Sequence, residues 1–226
     1  MLRIATLFPD LLGTYGDGGN GLVLAERARR RGHDVRLITM ELGDELPEAE
    51  IYLLGGGEDG PQRLARDLLI EGSFVSRVHD GATVLAVCAG LQILGETFSV
   101  EGDDEFEGLG IVDVRTKRGR SRAVGEMLVD VGGRELVGFE NHGGETSLGE
   151  GVAPLGRVRR GRGNDGTVDG FRKDSIWATY AHGPVLALNP WFADEILQTA
   201  LGQELDPLVS VADDLYSERV AALSLR

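Results

Sequence analysis

The sequence predicts an α/β fold in which a mostly parallel sheet is flanked by helices and carries appended antiparallel strands. Strand and helix patterns alternate through the first 95 residues, as expected of βαβ units. From about residue 108 to 180 the pattern changes to short β-like segments separated by Gly, Asn and Asp turns. Because no internal repeat or linker divides the chain, we expect one domain over residues 1–226.

The parallel part of the sheet is predicted from apolar runs rich in Val, Ile and Leu, which are typical of buried strands. These runs cover residues 2–8, 34–40, 50–54 and 83–87. Helical patterns lie between them at residues 21–31 and 61–71, and Gly32 follows the first as a C-cap. Ligands of such sheets bind at the carboxyl ends of the strands, where three turns fall, namely residues 15–20, 55–59 and 88–90.

The rest of the chain is expected to add antiparallel strands and C-terminal helices. The β-like segments cover residues 111–114, 124–131, 136–140, 152–158 and 175–180. We expect a parallel core over about residues 1–100, an antiparallel extension over about 108–182 and C-terminal helices over about 189–223. The apolar residues between 208 and 223 either pack on the chain's own sheet, which we favour, or form a docking helix.

The composition is that of an ordinary globular protein with a strong negative charge. Of the 226 residues 42% are hydrophobic, and 23 Lys and Arg against 37 Asp and Glu give a net charge of −14. This charge argues against nucleic acid or an anionic membrane as the main partner, although residues 115–122 are locally basic. The single cysteine fits a reducing cytoplasm, and neither a signal peptide nor a membrane span is expected.

Cys88 lies between the predicted strand 83–87 and an apolar helical pattern that starts at once after it. A strand, a single pivot residue and a helix form a nucleophile elbow. The partial positive charge and free N–H groups of the helix N-terminus favour a thiolate and can stabilise a neighbouring oxyanion. The alternative is that Cys88 is a small buried apolar residue.

A cysteine nucleophile needs a base within hydrogen-bonding distance. Of the four histidines, His33 and His79 lie in predicted surface turns. His182 follows the segment 175–180 at a strand end, and His142 follows another strand, so the pattern favours His182 with His142 as the rival.

An oxyanion hole needs backbone N–H groups that point at the developing charge. The three glycines 55–57 follow a predicted strand and let the backbone approach a ligand closely. The alternative is a flexible turn without a role in binding.

These motifs together resemble those of the class I glutamine amidotransferases, and within that class the cobyric-acid-synthase-like branch. The resemblance narrows to the glutaminase subunits of lipid II isoglutaminyl synthases and covers residues 2 to about 201. It implies a flavodoxin-like sheet. It rests on Cys88-Ala-Gly-Leu-Gln92, Tyr15-Gly-Asp-Gly-Gly-Asn20, Gly55-Gly-Gly-Glu-Asp59 with Gln62, Glu140-Asn-His-Gly-Gly144 and Tyr180-Ala-His-Gly-Pro184.

The resemblance implies a role for each matching residue. Cys88 would attack the amide of glutamine to give a thioester, with His182 as the general acid and base. The backbone N–H groups of Gly57 and Ala89 would form the oxyanion hole. Gln92 would contact bound glutamine. Arg122 would bind the glutamine α-carboxylate, for which a planar guanidinium is suited, although Arg118 and Arg120 lie close enough to be confused with it.

One departure from the family concerns the acid that orients the histidine. Many class I relatives have a glutamate two residues after the catalytic histidine, where this chain has Pro184. The nearest downstream acids are Asp194 and Glu195. We therefore expect the partner subunit to supply the third group, since a misoriented imidazole loses orders of magnitude in rate.

The chain has no phosphate-binding loop of the Gly-x-x-x-x-Gly-Lys type, so the activation of an acceptor is expected elsewhere. The resemblance implies a heterodimer with a Mur-ligase-like synthetase of the MurT type, which would use ATP and Mg²⁺ to amidate D-glutamate of lipid II. No cofactor or metal is expected in this chain. The alternatives are a cobyric-acid-type acceptor, another hydrolase with a cysteine elbow (DJ-1/PfpI-type or γ-glutamyl peptide hydrolase), and a catalytically silent regulatory module.

Overall fold

The computed structural model describes residues 1–99 and 104–224. The strands are β1 (Leu2–Leu7), β2 (Val35–Met40), β3 (Ile51–Leu54), β4 (Thr83–Val87), β5 (Thr97–Ser99), β6 (Glu105–Glu107), β7 (Val114–Val131), β8 (Arg134–Leu148), β9 (Gly156–Arg160), β10 (Val168–Asp169), β11 (Phe171–Lys173) and β12 (Ile176–Thr179). The helices are α1 (Gly19–Arg30), α2 (Asp59–Glu71), α3 (Phe74–His79), α4 (Ala89–Ile93), α5 (Val185–Leu188), α6 (Pro190–Leu201) and α7 (Val211–Ser224).

The first sheet has the strand order β11-β12-β4-β3-β1-β2. All neighbours in it are parallel except β11, which pairs antiparallel with β12. The five parallel strands follow the flavodoxin-like order, so the predicted fold class is confirmed. Every residue of β3, β4 and β12 is buried, as expected where helices cover both faces of a parallel sheet.

The second sheet consists largely of a long hairpin formed by β7 and β8. The two strands join through Gly132 and Gly133, both with positive φ, which suits a two-residue hairpin turn. Along the edge of β7 that faces away from β8, β5 pairs with the start of β7 and β9 with its end. Strand β6 then pairs with β5, and β10 with β9.

The first half of β7 is a strand that the sequence pattern does not predict. Residues 115–122 were noted as locally basic and were not assigned to a strand, but they continue β7 through an irregularity in pairing between Arg118 and Ala123. The apolar alternation that marks a strand is absent here, because the buried inward residue is Thr116 and its neighbours Arg115 and Lys117 are exposed.

The predicted antiparallel range was also too long. Residues 175–180 were assigned to it, yet β12 is a parallel strand of the first sheet, paired with β4. A series of short predicted strands does not show which strand pairs with which. A strand that is buried throughout belongs inside the parallel sheet, and this placement brings the end of β12 beside the end of β4.

Helix α7 packs on the hairpin of its own chain, as favoured from the sequence. Leu223 is buried with Leu128 of β7 and Val137 of β8, and the Tyr216 hydroxyl donates to the Glu135 carbonyl at 2.7 Å. No helix among residues 1–99 and 104–224 is long and apolar enough to cross a bilayer.

Candidate active site

Cys88 occupies the pivot between β4 and α4, which confirms the predicted elbow geometry. Its backbone has φ 51° and ψ −104°, a conformation that non-glycine residues rarely adopt outside constrained sites. A Cβ on Gly90 would lie 2.7 Å from Leu54 Cβ, so the glycine lets α4 approach β3. Cys88 is largely buried, but it lines a cavity of about 440 Å³.

His182 follows the end of β12, and its ring is held by a carboxylate. Its Nδ1 donates a hydrogen bond of 2.9 Å to Asp17 Oδ2, and both side chains are almost fully buried. The same carboxylate oxygen accepts the backbone N–H of Gly56 at 2.9 Å. Asp17 therefore fixes the tautomer of His182 and links it to the glycine turn after β3.

The other nitrogen of His182, Nε2, has no hydrogen-bond partner of normal geometry among the described residues. Burial lowers the pKa of His182, but hydrogen bonding to Asp17 and the proximity of Cys88 outweigh it and raise the pKa to about 9. The imidazole therefore retains its proton at pH 7, beside the only cysteine of the chain.

This chain itself places an acid on His182, namely Asp17, a residue that was not predicted for the site. A contribution from the partner subunit stays a prediction. Neither downstream acid takes the role. Asp194 accepts four hydrogen bonds from Arg27 and Arg31, and Glu195 pairs with Arg134. The predicted position of residues 15–20 at the same sheet edge as Cys88 is the one signal in the sequence that points to Asp17.

The glycine turn after β3 presents backbone N–H groups near Cys88. Gly56 N–H donates to Asp17 and Gly90 N–H donates to the Gly55 carbonyl. Among the described residues, the backbone N–H groups of Gly57 and Ala89 have no hydrogen-bond acceptor. These two groups remain the predicted oxyanion hole, since they are unpaired and Gly57 lines the cavity with Cys88.

Arg122 lies at the exposed mouth of the same cavity. Its Nε donates to Asn141 Oδ1 at 2.6 Å, and its Nη2 donates to the Tyr15 hydroxyl at 3.1 Å. Arg118 and Arg120 also line the cavity, so the structure brings all three candidate arginines to it. The two side-chain contacts orient the Arg122 guanidinium.

Gln92 lines the cavity one helical turn after Cys88. Its Oε1 accepts from Gln62 Nε2 at 2.9 Å, and its Nε2 donates to the Tyr180 hydroxyl at 3.2 Å. The side chain is thus oriented by buried partners, and its contact with glutamine stays a prediction.

His142, the rival base, lines the cavity but has partners at both nitrogens. Its Nδ1 lies 3.0 Å from the Gly144 carbonyl and its Nε2 lies 3.2 Å from Glu140 Oε2. The ring stacks on Tyr180 with centroids 3.8 Å apart. His142 therefore has a supporting position, while His33 and His79 lie outside the residues that line the cavity.

The described residues contain no group of three or more His, Cys, Asp or Glu side chains suited to hold a metal ion. The absence of a cofactor in this chain stays a prediction.

A cysteine elbow beside a histidine–aspartate pair, on a sheet of flavodoxin-like order, is the arrangement expected of a class I glutamine amidotransferase. The chain belongs to the family of the CobB/CobQ-like glutamine amidotransferase domain, whose sequence profile matches residues 3–190. It is thus a glutamine-hydrolysing enzyme of this family, as the motifs predicted.

Two curated relatives are similar over most of their length. The lipid II isoglutaminyl synthase (glutamine-hydrolyzing) subunit GatD of Staphylococcus aureus is 35% identical over 88% of this chain and 84% of its own. The subunit GatD of Streptococcus pneumoniae is 32% identical over 97% of this chain and 89% of its own. A cobyric acid synthase of Pelotomaculum thermopropionicum is 33% identical, but only over 66% of this chain and 32% of its own.

Solved structures agree on the fold. A crystal structure described as a glutamine amidotransferase has a TM-score of 0.62 at 21% identity and covers 87% of this chain and 98% of its own. PurLQS from Thermotoga maritima has a TM-score of 0.58 at 14% identity, covering 89% and 98%.

Proposed function

We propose that this chain is the glutaminase subunit of a lipid II isoglutaminyl synthase, which releases ammonia from L-glutamine for the amidation of D-glutamate to D-isoglutamine in peptidoglycan synthesis. The observation that carries the proposal is the Asp17–His182 pair beside the Cys88 elbow, in a chain that matches two GatD subunits over nearly its full length.

Hydrolysis proceeds through a thioester. Cys88 Sγ attacks the side-chain amide carbon of glutamine, and His182 Nε2 delivers a proton to the amide nitrogen. The C–N bond breaks, ammonia leaves and a γ-glutamyl thioester remains on Cys88. Water then attacks the thioester and His182 takes its proton. The C–S bond breaks, glutamate leaves, and His182 keeps the proton for the next leaving nitrogen. The pKa of about 9 suits His182 to hold the proton until the leaving nitrogen takes it.

The cavity supplies the other contacts. The N–H groups of Gly57 and Ala89 stabilise the oxyanion, and each such donor is typically worth about 3 kcal/mol in the transition state. Arg122 binds the α-carboxylate of glutamine, and Gln92 contacts the bound substrate.

Ammonia passes to a Mur-ligase-like partner of the MurT type in a cytoplasmic heterodimer. That partner binds ATP and Mg²⁺ and uses them to activate the acceptor carboxyl. The proposal for this chain is limited to glutamine hydrolysis and delivery of the nitrogen.

Covalent labelling tests the catalytic part of the proposal. The complex with its synthetase partner is treated with a diazoketone analogue of glutamine, and the peptide that contains residue 88 is analysed by mass spectrometry. We expect an adduct on Cys88 and none in Cys88→Ala. If Cys88 carries no adduct and no ammonia forms with the partner present, the chain is a catalytically silent regulatory module and the proposal fails.

Amidation of lipid II tests the acceptor. The complex is given glutamine, ATP, Mg²⁺ and lipid II, and the product is examined for a mass decrease of about 1 Da, since an amide replaces a carboxyl. Glutaminase activity without lipid II amidation would favour a cobyric-acid-type acceptor, which the match to the cobyric acid synthase supports.

A further inference from the structure

Tyr15 lies between His182 and Arg122. Neither the family motifs nor the mechanism gives it a role. Its ring contacts the His182 ring, with centroids 4.5 Å apart and planes tilted by 51°. Tyr15 is in the same turn as Asp17, which holds Nδ1 of that imidazole. One turn therefore contacts His182 twice, by a hydrogen bond and by an aromatic face.

The hydroxyl of Tyr15 points the other way, to the substrate-binding residues. It accepts from Arg122 Nη2 at 3.1 Å and donates to Glu58 Oε1 at 3.2 Å. Glu58 follows Gly57, the predicted oxyanion donor, and lines the cavity. Burial, and to a smaller extent the carboxylate of Glu58, raise the pKa of Tyr15, so the hydroxyl keeps the proton that it donates.

We propose that Tyr15 is a positioning residue that couples the carboxylate site at Arg122 to the orientation of His182. The inference rests on the proposed function, because it takes Arg122 as the residue that binds the glutamine carboxylate. The hydroxyl holds the guanidinium in its binding orientation, and the ring limits the movement of the imidazole. Substrate bound at Arg122 therefore restrains Tyr15, and Tyr15 restrains His182.

Two substitutions separate the two functions of this side chain. Tyr15→Phe keeps the ring on His182 but removes both hydroxyl contacts, so KM for glutamine should rise roughly 10-fold while kcat changes less than about 3-fold. Tyr15→Leu also removes the ring, so kcat should fall by a further factor of about 10 or more. Thr14→Ala, at an exposed neighbouring position, is the control and should match the wild type.

A second readout does not depend on glutamine. The rate at which iodoacetamide alkylates Cys88 is measured against pH, because it reports the ionisation of the Cys88–His182 pair. The profile of Tyr15→Phe should superimpose on that of the wild type, and the profile of Tyr15→Leu should shift. Thermal melts establish that each variant is folded; if Tyr15→Leu is not, Tyr15→Met replaces it.

The outcomes are distinct. An unchanged KM in Tyr15→Phe, or identical kcat and alkylation profiles for Tyr15→Phe and Tyr15→Leu, overturns the inference and leaves the proposed function intact. If the wild-type complex hydrolyses no glutamine, the proposed function fails, and the coupling to glutamine fails with it. The alkylation profiles then still decide whether the Tyr15 ring positions His182.

Discussion

Asp17 and His182 are 165 positions apart in the chain, yet Asp17 Oδ2 accepts the Nδ1 hydrogen bond of His182 at 2.9 Å. Each residue follows a strand of the same parallel sheet, β1 for Asp17 and β12 for His182. The sheet order thus brings the acid to the imidazole, and the chain contains its own orienting carboxylate.

Asp17→Asn should lower the kcat of the glutaminase by about 10²- to 10⁴-fold, because the amide no longer fixes the tautomer of His182. Steady-state ammonia release by the complex measures the effect. Asp80→Asn, an exposed position before β4, is the control and should retain full activity. Comparable activity of Asp17→Asn and the wild type would show that another group orients the imidazole.

Gly56→Ala should reduce kcat by at least about 100-fold without unfolding the protein. The new Cβ would lie 2.4 Å from His182 Cε1, so the ring must move away from its position. Gly60→Ala is a matched control in α2, since its Cβ would meet nothing within 4 Å. This control should keep its activity, since the added methyl group contacts none of the described residues.

Arg122→Lys should raise KM for glutamine by about 10-fold or more, because an ammonium group does not form the paired hydrogen bonds of a guanidinium. Arg118→Lys and Arg120→Lys, assayed in parallel, decide which arginine binds the carboxylate. Arg115→Lys is the control, as it pairs with Asp113 and is not among the cavity residues. A larger rise in KM for Arg118→Lys or Arg120→Lys would reassign the role.

Asp194→Ala should lower the free energy of unfolding by about 3–5 kcal/mol. The molecules that stay folded should keep the geometry of the candidate active site. Asp194 is the partner of Arg27 and Arg31, whose side chains are only 8% and 6% exposed, so the change leaves two buried cations without it. Urea unfolding measures the loss. Glu204→Ala, an exposed position, should change stability by less than about 0.5 kcal/mol.

The raised pKa of His182 predicts a pH dependence of stability. A group with a folded-state pKa of about 9 and an unfolded value near 6.5 stabilises the fold fully below about pH 6.5. That contribution is lost as the pH rises through about 9. The difference in free energy of unfolding between the wild type and His182→Gln should therefore shrink over this range by on the order of 1–3 kcal/mol. A constant difference from pH 6 to 10 would contradict the raised pKa.

Local pattern was enough to predict four of the five parallel strands, the elbow at Cys88 and the preference for His182. Thr83–Val87 has the predicted limits, and β3 starts only one residue later than predicted. These elements carry continuous apolar runs, and a strand that is buried on both faces needs no information from distant residues to be recognised.

The parts that depend on pairing between distant segments could not be read from the sequence. Asp17 lies in a glycine-rich turn with no periodicity, and its role exists only because β1 and β12 share a sheet. In the first half of β7, the buried residue Thr116 is polar, and its hydroxyl bonds with that of Thr146 on β8 at 2.8 Å. A pattern of apolar residues cannot reveal a strand whose buried side chain is polar and is stabilised there by a hydrogen bond.

The position of β12 has a consequence for how the enzyme is made. Strand β4 already pairs with β3, but it gains its second neighbour only when residues 176–179 have been synthesised, and the imidazole follows three residues later. Until then, Cys88 of a chain on the ribosome follows a strand, β4, whose second edge is unpaired. The order of translation therefore completes the candidate site only when about four fifths of the polypeptide exist.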